Sequence, residues 1–336
     1  MLRRLVLSSN IRIPFRCLSS NGNGNGDPYY EKIQIPTLNL NEMVTGARIE
    51  HSKEIAPSYH PEQNTFNENA SRVNLKRLNG GSVDLKKDDG TGIATVTINN
   101  PKKGNAITGS MMAALSDIVS ELEVWSNGKA IILHGSPECR VFCAGADLAL
   151  VKTFLAPDQG CQMTLFMQNT LNRLMRLPLV SVAAIHGKAL GGGAEIATAC
   201  DFRLMTHDAV VQFLQVRMGI TPGWGGGSRL VRIVGPKTAL KLLCSGKPVS
   251  SQDALRLDLA DGLIDKTDIV GSAYDWLKDY TSGATEVVQA NKCVVLAGTE
   301  LPLDSAMRRE KNLLATVWGG PAHLQALDRA SKPKKD

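Results

Sequence analysis

Two glycine-containing segments of this 336-residue chain are placed so that they could bind a negatively charged oxygen. "VFCAGADLALVK" (141–152) follows the apolar run 130–136, and "HGKALGGGAE" (186–195) follows the apolar run 179–184. Glycines let backbone N–H groups approach a ligand because no Cβ stands in the way. If the two loops converge, two N–H groups can point at one oxygen and stabilise an oxyanion. Neither loop has the spacing of a dinucleotide- or nucleoside triphosphate-binding loop.

The segments around these loops indicate the elements that must position them. Residues 82–100 alternate polar and apolar side chains around an Asp-Asp-Gly turn, which predicts a β-hairpin. Residues 108–125 have apolar side chains at helical spacing, and Thr108 or Ser110 can cap the start of this helix. The apolar run before each loop predicts a buried strand, and the alanine-rich run after the glycines predicts a buried helix. Strands first, with helices between and after them, predict an α/β domain of ββα units.

The charge distribution argues against a nucleic-acid partner, although the chain carries a net charge of +6. Residues 1–20 contain four arginines and no acid, and residues 328–336 contain four bases and two acids. The long segment between these ends is therefore neutral overall. An apolar share of 43% with 21% charged residues is ordinary for a globular protein. No apolar run is long enough to cross a bilayer, so we expect no membrane span.

The first 80 residues differ in composition from the rest of the chain. Residues 1–20 are rich in Arg, Ser and apolar residues and lack acids, which is typical of a mitochondrial presequence. The predicted location is the mitochondrial matrix; the alternative is an unstructured basic tail on a cytosolic protein. Residues 21–80 are polar and partly of low complexity, which indicates a linker or extension with weak helices at most. Order is expected to begin near Gly81.

The cysteines and histidines do not have the spacing of a metal site. Seven cysteines are scattered in apolar contexts without Cys-x-x-Cys spacing, which favours inert thiols in a reducing compartment. We therefore predict neither a disulfide nor zinc, and no other metal. His134 ends a strand and is interpreted as structural. His186 precedes Gly187 and is interpreted as a hydrogen-bonded loop residue, with an acid or base as the alternative.

Four ordered motifs carry a family resemblance. They are "NNPKKGNAIT" (99–108), "FCAGADL" (142–148), "HGKALGGGAEIATACDFRL" (186–204) and "MGITPGWGGGSRLVRIVG" (218–235). In this order and spacing they resemble the crotonase (enoyl-CoA hydratase/isomerase) superfamily, over roughly Gly81 to Leu314. The resemblance implies the crotonase fold, a spiral of ββα units with a C-terminal helical region. It also implies a crotonase domain over 81–327 before the basic tail 328–336, and a homotrimer or hexamer.

The resemblance assigns site residues position by position. The N–H groups of Ala146 and Gly192 are expected to form the hole that holds a thioester oxygen. The stretch expected to line the adenine and phosphate of coenzyme A comprises Lys102, Lys103, Gly104 and Ala106. Asp147 is expected to support its loop through local hydrogen bonds.

One carboxylate is missing from the pattern of the hydratases. Glu195 stands where they place one catalytic carboxylate, but Gln215 stands where they place the other. Because glutamine cannot exchange a proton near neutral pH, addition of water by two carboxylates is put in doubt. An oxyanion hole alone can still stabilise the enolate that forms when a malonyl-type thioester loses CO2. Glu195 would then protonate the enolate carbon, order a water, or brace the triglycine loop.

Segments 167–182, 222–230 and 313–329 are most similar to members of the family that decarboxylate ethylmalonyl-CoA. This narrower resemblance implies a carboxy-lyase that converts ethylmalonyl-CoA, and also methylmalonyl-CoA, to the acyl-CoA. Trp224 is expected to form part of an apolar wall of the pocket, and core packing is the alternative for it. The thioester is the electron sink, so no cofactor is expected beyond the CoA of the substrate. The alternative function is an enoyl-CoA hydratase or isomerase that uses Glu195 alone. RNA binding is disfavoured because the helix 111–125 has three acids and no lysine.

Overall fold

A computed structural model describes residues 66–331, which form a mixed α/β fold. The strands are β1 (Ser82–Asp88), β2 (Ile93–Asn99), β3 (Ala130–Gly135), β4 (Val141–Cys143), β5 (Val180–Ile185), β6 (Lys188–Leu190), β7 (Phe202–Thr206), β8 (Val210–Gln212), β9 (Val249–Ser250) and β10 (Gly262–Ile264). The helices are α1 (Glu68–Lys76), α2 (Gly109–Glu123), α3 (Leu148–Thr153), α4 (Pro157–Arg176), α5 (Gly192–Ala197), α6 (Gly226–Ser245), α7 (Ser251–Arg256), α8 (Ile269–Thr281), α9 (Thr285–Glu300), α10 (Leu303–Val317) and α11 (Pro321–Ser331). The predicted presequence, most of the predicted linker and the last five residues of the basic tail lie outside the described residues.

The strands form two sheets whose ends carry the glycine loops. The larger sheet has the order β1-β2-β3-β5-β7-β10, in which β1 and β2 are antiparallel and the other pairs are parallel. The antiparallel pair is the hairpin that the alternating pattern predicted. The smaller sheet has the order β4-β6-β8-β9, and β4 pairs with β6 in parallel. Each glycine loop therefore follows a strand of the smaller sheet, and these two strands are neighbours.

Side chains alternate between the two faces of the larger sheet along each strand. Each face of its inner strands packs against a hydrophobic core. Ile131 and Leu133 of β3 belong to the main core with α2 and α4. Ala130 and Ile132 of the same strand face the other side, where they belong to a second core that includes residues of α8. Thr108 caps α2 by accepting the N–H of Met111, as the sequence predicted.

A helix precedes Gly81, the residue near which the sequence predicted order to start. Helix α1 lies inside the predicted linker, and Asn67 caps it by accepting the N–H of Ala70 at 2.9 Å. Leu75 is 1% exposed and belongs to the main core. The helix packs on α2, so a contact distant in sequence stabilises a segment whose local pattern is weak.

The C-terminal helices fall into an anchored part and an exposed part. Helix α9 is tied to the sheet by a buried ion pair between Lys292 and Asp201, and Asp201 also accepts the N–H and hydroxyl of Ser181. Helices α10 and α11 bury only Ala306 within the part of the chain described here. Several large apolar side chains there are exposed, namely Leu303, Met307, Leu314, Trp318, Leu324 and Leu327.

Residues 66–331 have neither a membrane-spanning helix nor a cluster of metal ligands. None of the helices in this range is both long and apolar enough to cross a membrane. Within the same range, no three side chains from His, Cys, Asp and Glu form a group that could hold a metal ion.

Candidate active site

The first glycine loop leaves the N–H of Ala146 available. This loop runs from the end of β4 to the start of α3, and it forms a parallel bridge between Ile107 and Ala146. In that bridge Ile107 donates to the carbonyl of Gly145 at 2.7 Å and accepts from the N–H of Asp147 at 2.9 Å. Because the bridge uses the residues on either side of Ala146, the N–H of Ala146 itself points away from Ile107. It has no hydrogen-bond partner among the described residues.

The second glycine loop leaves the N–H of Gly192 available. Gly191, at φ +52°, turns the chain out of β6 into α5 and donates its N–H to the carbonyl of Gln212 at 2.8 Å. Helix α5 begins at Gly192, and its first intrahelical bond runs from Glu195 N–H to Gly191 O at 3.1 Å. The N–H of Gly192 therefore has no partner within the helix, as at any helix start.

The two loops touch through their backbones. A Cβ on Gly145 would lie 2.9 Å from the backbone nitrogen of Gly192 and 3.0 Å from the carbonyl oxygen of Leu190. A Cβ on Gly193 would clash with the carbonyl of Cys143. Only glycine allows this approach, and it brings the loop segments that contain Ala146 and Gly192 together where the parallel strands β4 and β6 end.

Glu195 is buried beneath the second loop and holds three donors. Its side chain is 3% exposed. Oε1 accepts the N–H of Trp224 at 2.8 Å and the N–H of Gly226 at 3.0 Å, and Oε2 accepts the side-chain amide of Gln215 at 3.0 Å. Burial raises the pKa of Glu195, and the three donors and the charge of Arg229 only partly oppose this.

Gln215 lies beside Glu195, so the structure brings together the two residues that the sequence compared. Gln215 is 6% exposed, and its Oε1 has no hydrogen-bond partner among the described residues. A buried acceptor of this kind ordinarily needs a donor. The side-chain amide can rotate so that either its oxygen or its nitrogen faces Glu195.

Trp224 is packed directly on the second loop. A Cβ on Gly192 would lie 2.5 Å from Cζ3 of the Trp224 indole, so the ring rests on the Cα of Gly192. Trp224 is 4% exposed, and its backbone is held at the N–H by Glu195 and at the carbonyl by Arg229 Nη2 at 2.8 Å. The predicted apolar wall is therefore in contact with the predicted oxyanion donor.

Arg229 belongs to this network, and the sequence analysis did not single it out. It is 6% exposed, and its Nη2 donates to the carbonyl of Glu195 at 3.0 Å as well as to that of Trp224. Its Nε donates to the hydroxyl of Thr198 at 3.3 Å, and burial lowers its pKa to about 10. An arginine followed by an apolar run near a helix start was the only local signal for it.

The predicted CoA-binding turn packs on the first loop. Ala144 donates its N–H to the carbonyl of Gly104 at 3.0 Å, and Lys103 Nζ lies 2.7 Å from a carboxylate oxygen of Asp147. The ammonium of Lys103 holds the pKa of Asp147 below its usual range. Ala106 lies in the same turn, whereas Lys102 is exposed and forms no ion pair within the described range.

Asn105 fixes this turn and was also missed by the sequence analysis. It is fully buried at φ +55°, where its side chain accepts the N–H of Asn100 and donates to the carbonyls of Ser136 and Val141. Asparagine tolerates this left-handed conformation better than most residues. The sequence signal was the Gly-Asn pair in the turn, which local reasoning cannot connect to its distant partners.

Both histidines contact main-chain or hydroxyl groups rather than the site. His134 Nε2 lies 2.9 Å from the hydroxyl of Thr97, and His186 Nε2 lies 3.1 Å from the carbonyl of Cys139. Burial lowers the pKa of both imidazoles. The structural interpretation of these residues agrees with these contacts.

The chain belongs to the enoyl-CoA hydratase/isomerase family, whose model matches residues 88–319. Over 270 residues it is 49% identical to a Gallus gallus protein named Ethylmalonyl-CoA decarboxylase, covering 80% of this chain and 90% of that one. A Xenopus laevis protein of the same name is 48% identical over 271 residues, with the same two coverages. These relatives confirm the family resemblance and the prediction of a carboxy-lyase.

Solved structures confirm the predicted crotonase fold. A crystal structure of an enoyl-CoA hydratase from Bacillus anthracis superposes with a TM-score of 0.69 at 26% sequence identity. The match covers 75% of this chain and 96% of that one. The fold is thus shared with an enoyl-CoA hydratase.

Proposed function

We propose that this protein decarboxylates ethylmalonyl-CoA, and also methylmalonyl-CoA, to the corresponding acyl-CoA. The observation that carries the proposal is the contact between two glycine loops with free N–H groups at Ala146 and Gly192. The named activity of the relatives at 48–49% identity supports the choice of substrate.

The reaction needs an electron sink rather than a base. The bond between the α carbon and the substrate carboxylate breaks, CO2 leaves, and its bonding electrons form the thioester enolate. Negative charge then develops on the thioester oxygen, where the N–H groups of Ala146 and Gly192 stabilise it. A proton added to the α carbon completes the reaction. No cofactor beyond the substrate's own CoA is part of this proposal.

Glu195 serves two purposes through its two oxygens. Oε1 holds the backbone of Trp224 and Gly226, which fixes the indole on Gly192. Oε2 accepts only the Gln215 amide, so one of its lone pairs is free to hold a proton. Glu195 then transfers this proton to the enolate carbon. The raised pKa of Glu195 favours the protonated form that this step requires.

Gln215 favours decarboxylation over hydration. A second carboxylate next to Glu195 would repel the carboxylate of a malonyl-type substrate, and the neutral amide removes that repulsion. Hydration by paired carboxylates also lacks its second titrating group. The alternative of a hydratase or isomerase would have to rely on Glu195 alone.

The CoA moiety is proposed to lie along the turn that packs on the first loop. Lys102 is exposed and free of ion pairs in the described part of the chain, so it can reach a phosphate. Gly104 and Ala106 present their backbone groups to the CoA. Lys103 lines the same stretch, and its ammonium is paired with Asp147.

We further propose a homotrimer or hexamer in the mitochondrial matrix. The exposed apolar side chains of α10 and α11 need a partner surface, and a second copy of the chain supplies one in a closed assembly. The location rests on the composition of residues 1–20, and the alternative remains the cytosol.

A substrate comparison tests the proposed reaction. The purified protein is incubated separately with ethylmalonyl-CoA, methylmalonyl-CoA and crotonyl-CoA, and products are separated by chromatography. We expect butyryl-CoA and propionyl-CoA from the first two and little hydration of the third. Rapid hydration of crotonyl-CoA with ethylmalonyl-CoA left intact would establish the alternative instead.

A further inference from the structure

A polar cavity of about 420 Å³ lies next to the Trp224 loop and plays no part in the proposed reaction. Residues from α4, from the start of α6 and from the end of α9 line it. Three of them are arginines, Arg176, Arg229 and Arg232, and Glu300 is the only acid. The lining therefore carries two positive charges in excess. None of the proposed oxyanion or CoA-binding residues lines this cavity.

Each arginine has donor capacity left for a ligand. Arg176 uses Nε for Glu300, with both carboxylate oxygens at 3.0 Å, and its two terminal nitrogens have no partner among the described residues. Arg232 is exposed and forms no ion pair with any described residue. A guanidinium presents its donors in a planar fork that matches the oxygens of phosphate or carboxylate.

Arg229 also lines this cavity and has one guanidinium nitrogen without a partner among the described residues. Its Nε and Nη2 are engaged by Thr198, Glu195 and Trp224, which leaves Nη1. A Cβ on Gly225 would lie 2.7 Å from Nη1, and both Gly225 and Arg229 line the cavity. Gly225, at φ +83°, thus lets this nitrogen reach the cavity wall. The first segment of α6, which runs from Gly226 to a kink at Gly235, also starts there without a side-chain cap, which adds positive potential.

We propose that this cavity binds a small dianionic oxyanion, such as a phosphate group, at a site separate from the thioester. The anion bridges Arg176 on α4 with Arg229 and Arg232 on α6. Because Arg229 holds the carbonyls of Glu195 and Trp224, a bound anion restrains the guanidinium that supports the Trp224 loop. Occupancy of the cavity therefore stabilises the loop that packs on Gly192.

Calorimetric titration with inorganic phosphate tests the site. Saturating CoA is present throughout to block phosphate binding at the substrate site, and chloride keeps the ionic strength constant. We expect saturable binding at millimolar phosphate, and loss of about tenfold or more in affinity for Arg232→Ala and for Arg176→Ala. Lys237→Ala, which removes an exposed cation of α6 outside the cavity, is the matched control and should bind like the unmodified protein.

Hydrogen exchange tests the coupling to the Trp224 loop. With phosphate, the peptide spanning residues 219–230 should exchange more slowly in the unmodified protein and in Lys237→Ala, but not in Arg232→Ala. The unfolding midpoint of each variant without phosphate shows that it is folded. Absence of saturable phosphate binding, or equal binding by Arg232→Ala and the unmodified protein, overturns the proposal.

Discussion

The two glycine loops present equivalent N–H groups, but they are supported in different ways. The first loop is held by a backbone bridge and by an ion pair in which the Lys103 side chain is 54% exposed. The second rests on Glu195, Gln215, Trp224 and Arg229, all of which are buried. Solvent screens exposed charges, whereas a buried polar group left without its partner is costly. We therefore expect changes at the second loop to have much larger effects than changes at the first.

The largest expected effect comes from removing the donor of the second loop. Gly192→Pro deletes the N–H at the first helical position, where proline is compatible with helix geometry. Loss of one oxyanion donor lowers the rate by about 100- to 1000-fold. Steady-state decarboxylation of ethylmalonyl-CoA measures the loss.

Gly192→Ala is the control for this change. Alanine keeps the N–H but places a Cβ against the Trp224 ring, as proline also does. We expect it to retain at least about tenfold more activity than Gly192→Pro. Equal losses in the two variants would assign the effect to displacement of the indole and not to the missing donor.

A smaller effect is expected from Glu195→Gln. The new amide oxygen can accept the N–H groups of Trp224 and Gly226, and its nitrogen can donate to the unpartnered Oε1 of Gln215 once that amide turns. The bracing contacts therefore survive while the exchangeable proton is lost. A rate about 100-fold lower, with altered incorporation of solvent deuterium at the product α carbon, is expected if Glu195 delivers the proton.

The pH profile gives the same test a second readout. The rate of the unmodified protein should fall as pH rises through the raised pKa of Glu195, because the proton donor is then ionised. Glu195→Gln should lack that decline. Unchanged rate and labelling in the variant would leave Glu195 with a bracing role alone.

The smallest effect is expected at the first loop. Asp147→Asn removes the charge that pairs with Lys103 but keeps an acceptor for the N–H of Ala149, which caps α3. We expect a loss of at most about 1 kcal/mol in the free energy of unfolding and a rate change below about fivefold, since Lys103 stays hydrated. Urea denaturation and the decarboxylation assay measure the two quantities.

The dependence of the free energy of unfolding on pH gives a second test of this prediction. Lys103 lowers the pKa of Asp147 in the folded state, so the pair stabilises the protein at neutral pH and its contribution is lost as pH falls through that pKa. The difference in free energy of unfolding between the unmodified protein and Asp147→Asn should therefore become smaller as pH falls. A large loss of activity in this variant would show that the two loops are not supported as differently as their contacts indicate.

Local sequence signals predicted the parts of the fold that depend on near neighbours. The hairpin around Asp88–Gly90, the Thr108 cap and the helix after Gly191 all follow from turn, cap and glycine chemistry within a few residues. For the segment that contains helix α1 the sequence predicted weak helices at most, because the place of this helix depends on burial of Leu75 against elements far along the chain.

In the candidate active site, too, contacts between residues distant in sequence were not predicted from local signals. The resemblance to a family placed Glu195 and Gln215 at corresponding positions, and the structure joins them by a hydrogen bond. Asp147 was expected to support its loop through local hydrogen bonds, and it accepts the N–H of Ala149 at 2.8 Å. Its pairing with Lys103, and the roles of Arg229 and Asn105, were not predicted, since each joins groups distant in sequence. Residue type alone does not reveal which carbonyl a buried arginine will hold.

The contact between Gly145 and Gly192 bears on how this scaffold can change during evolution. The proposed oxyanion donors are main-chain atoms pressed against main-chain atoms, so a side chain added at the contact would displace them. New substrates must therefore be accommodated by residues around the donors, such as position 215, while the donors stay the same. One backbone junction of this kind can in this way serve enzymes whose reactions differ.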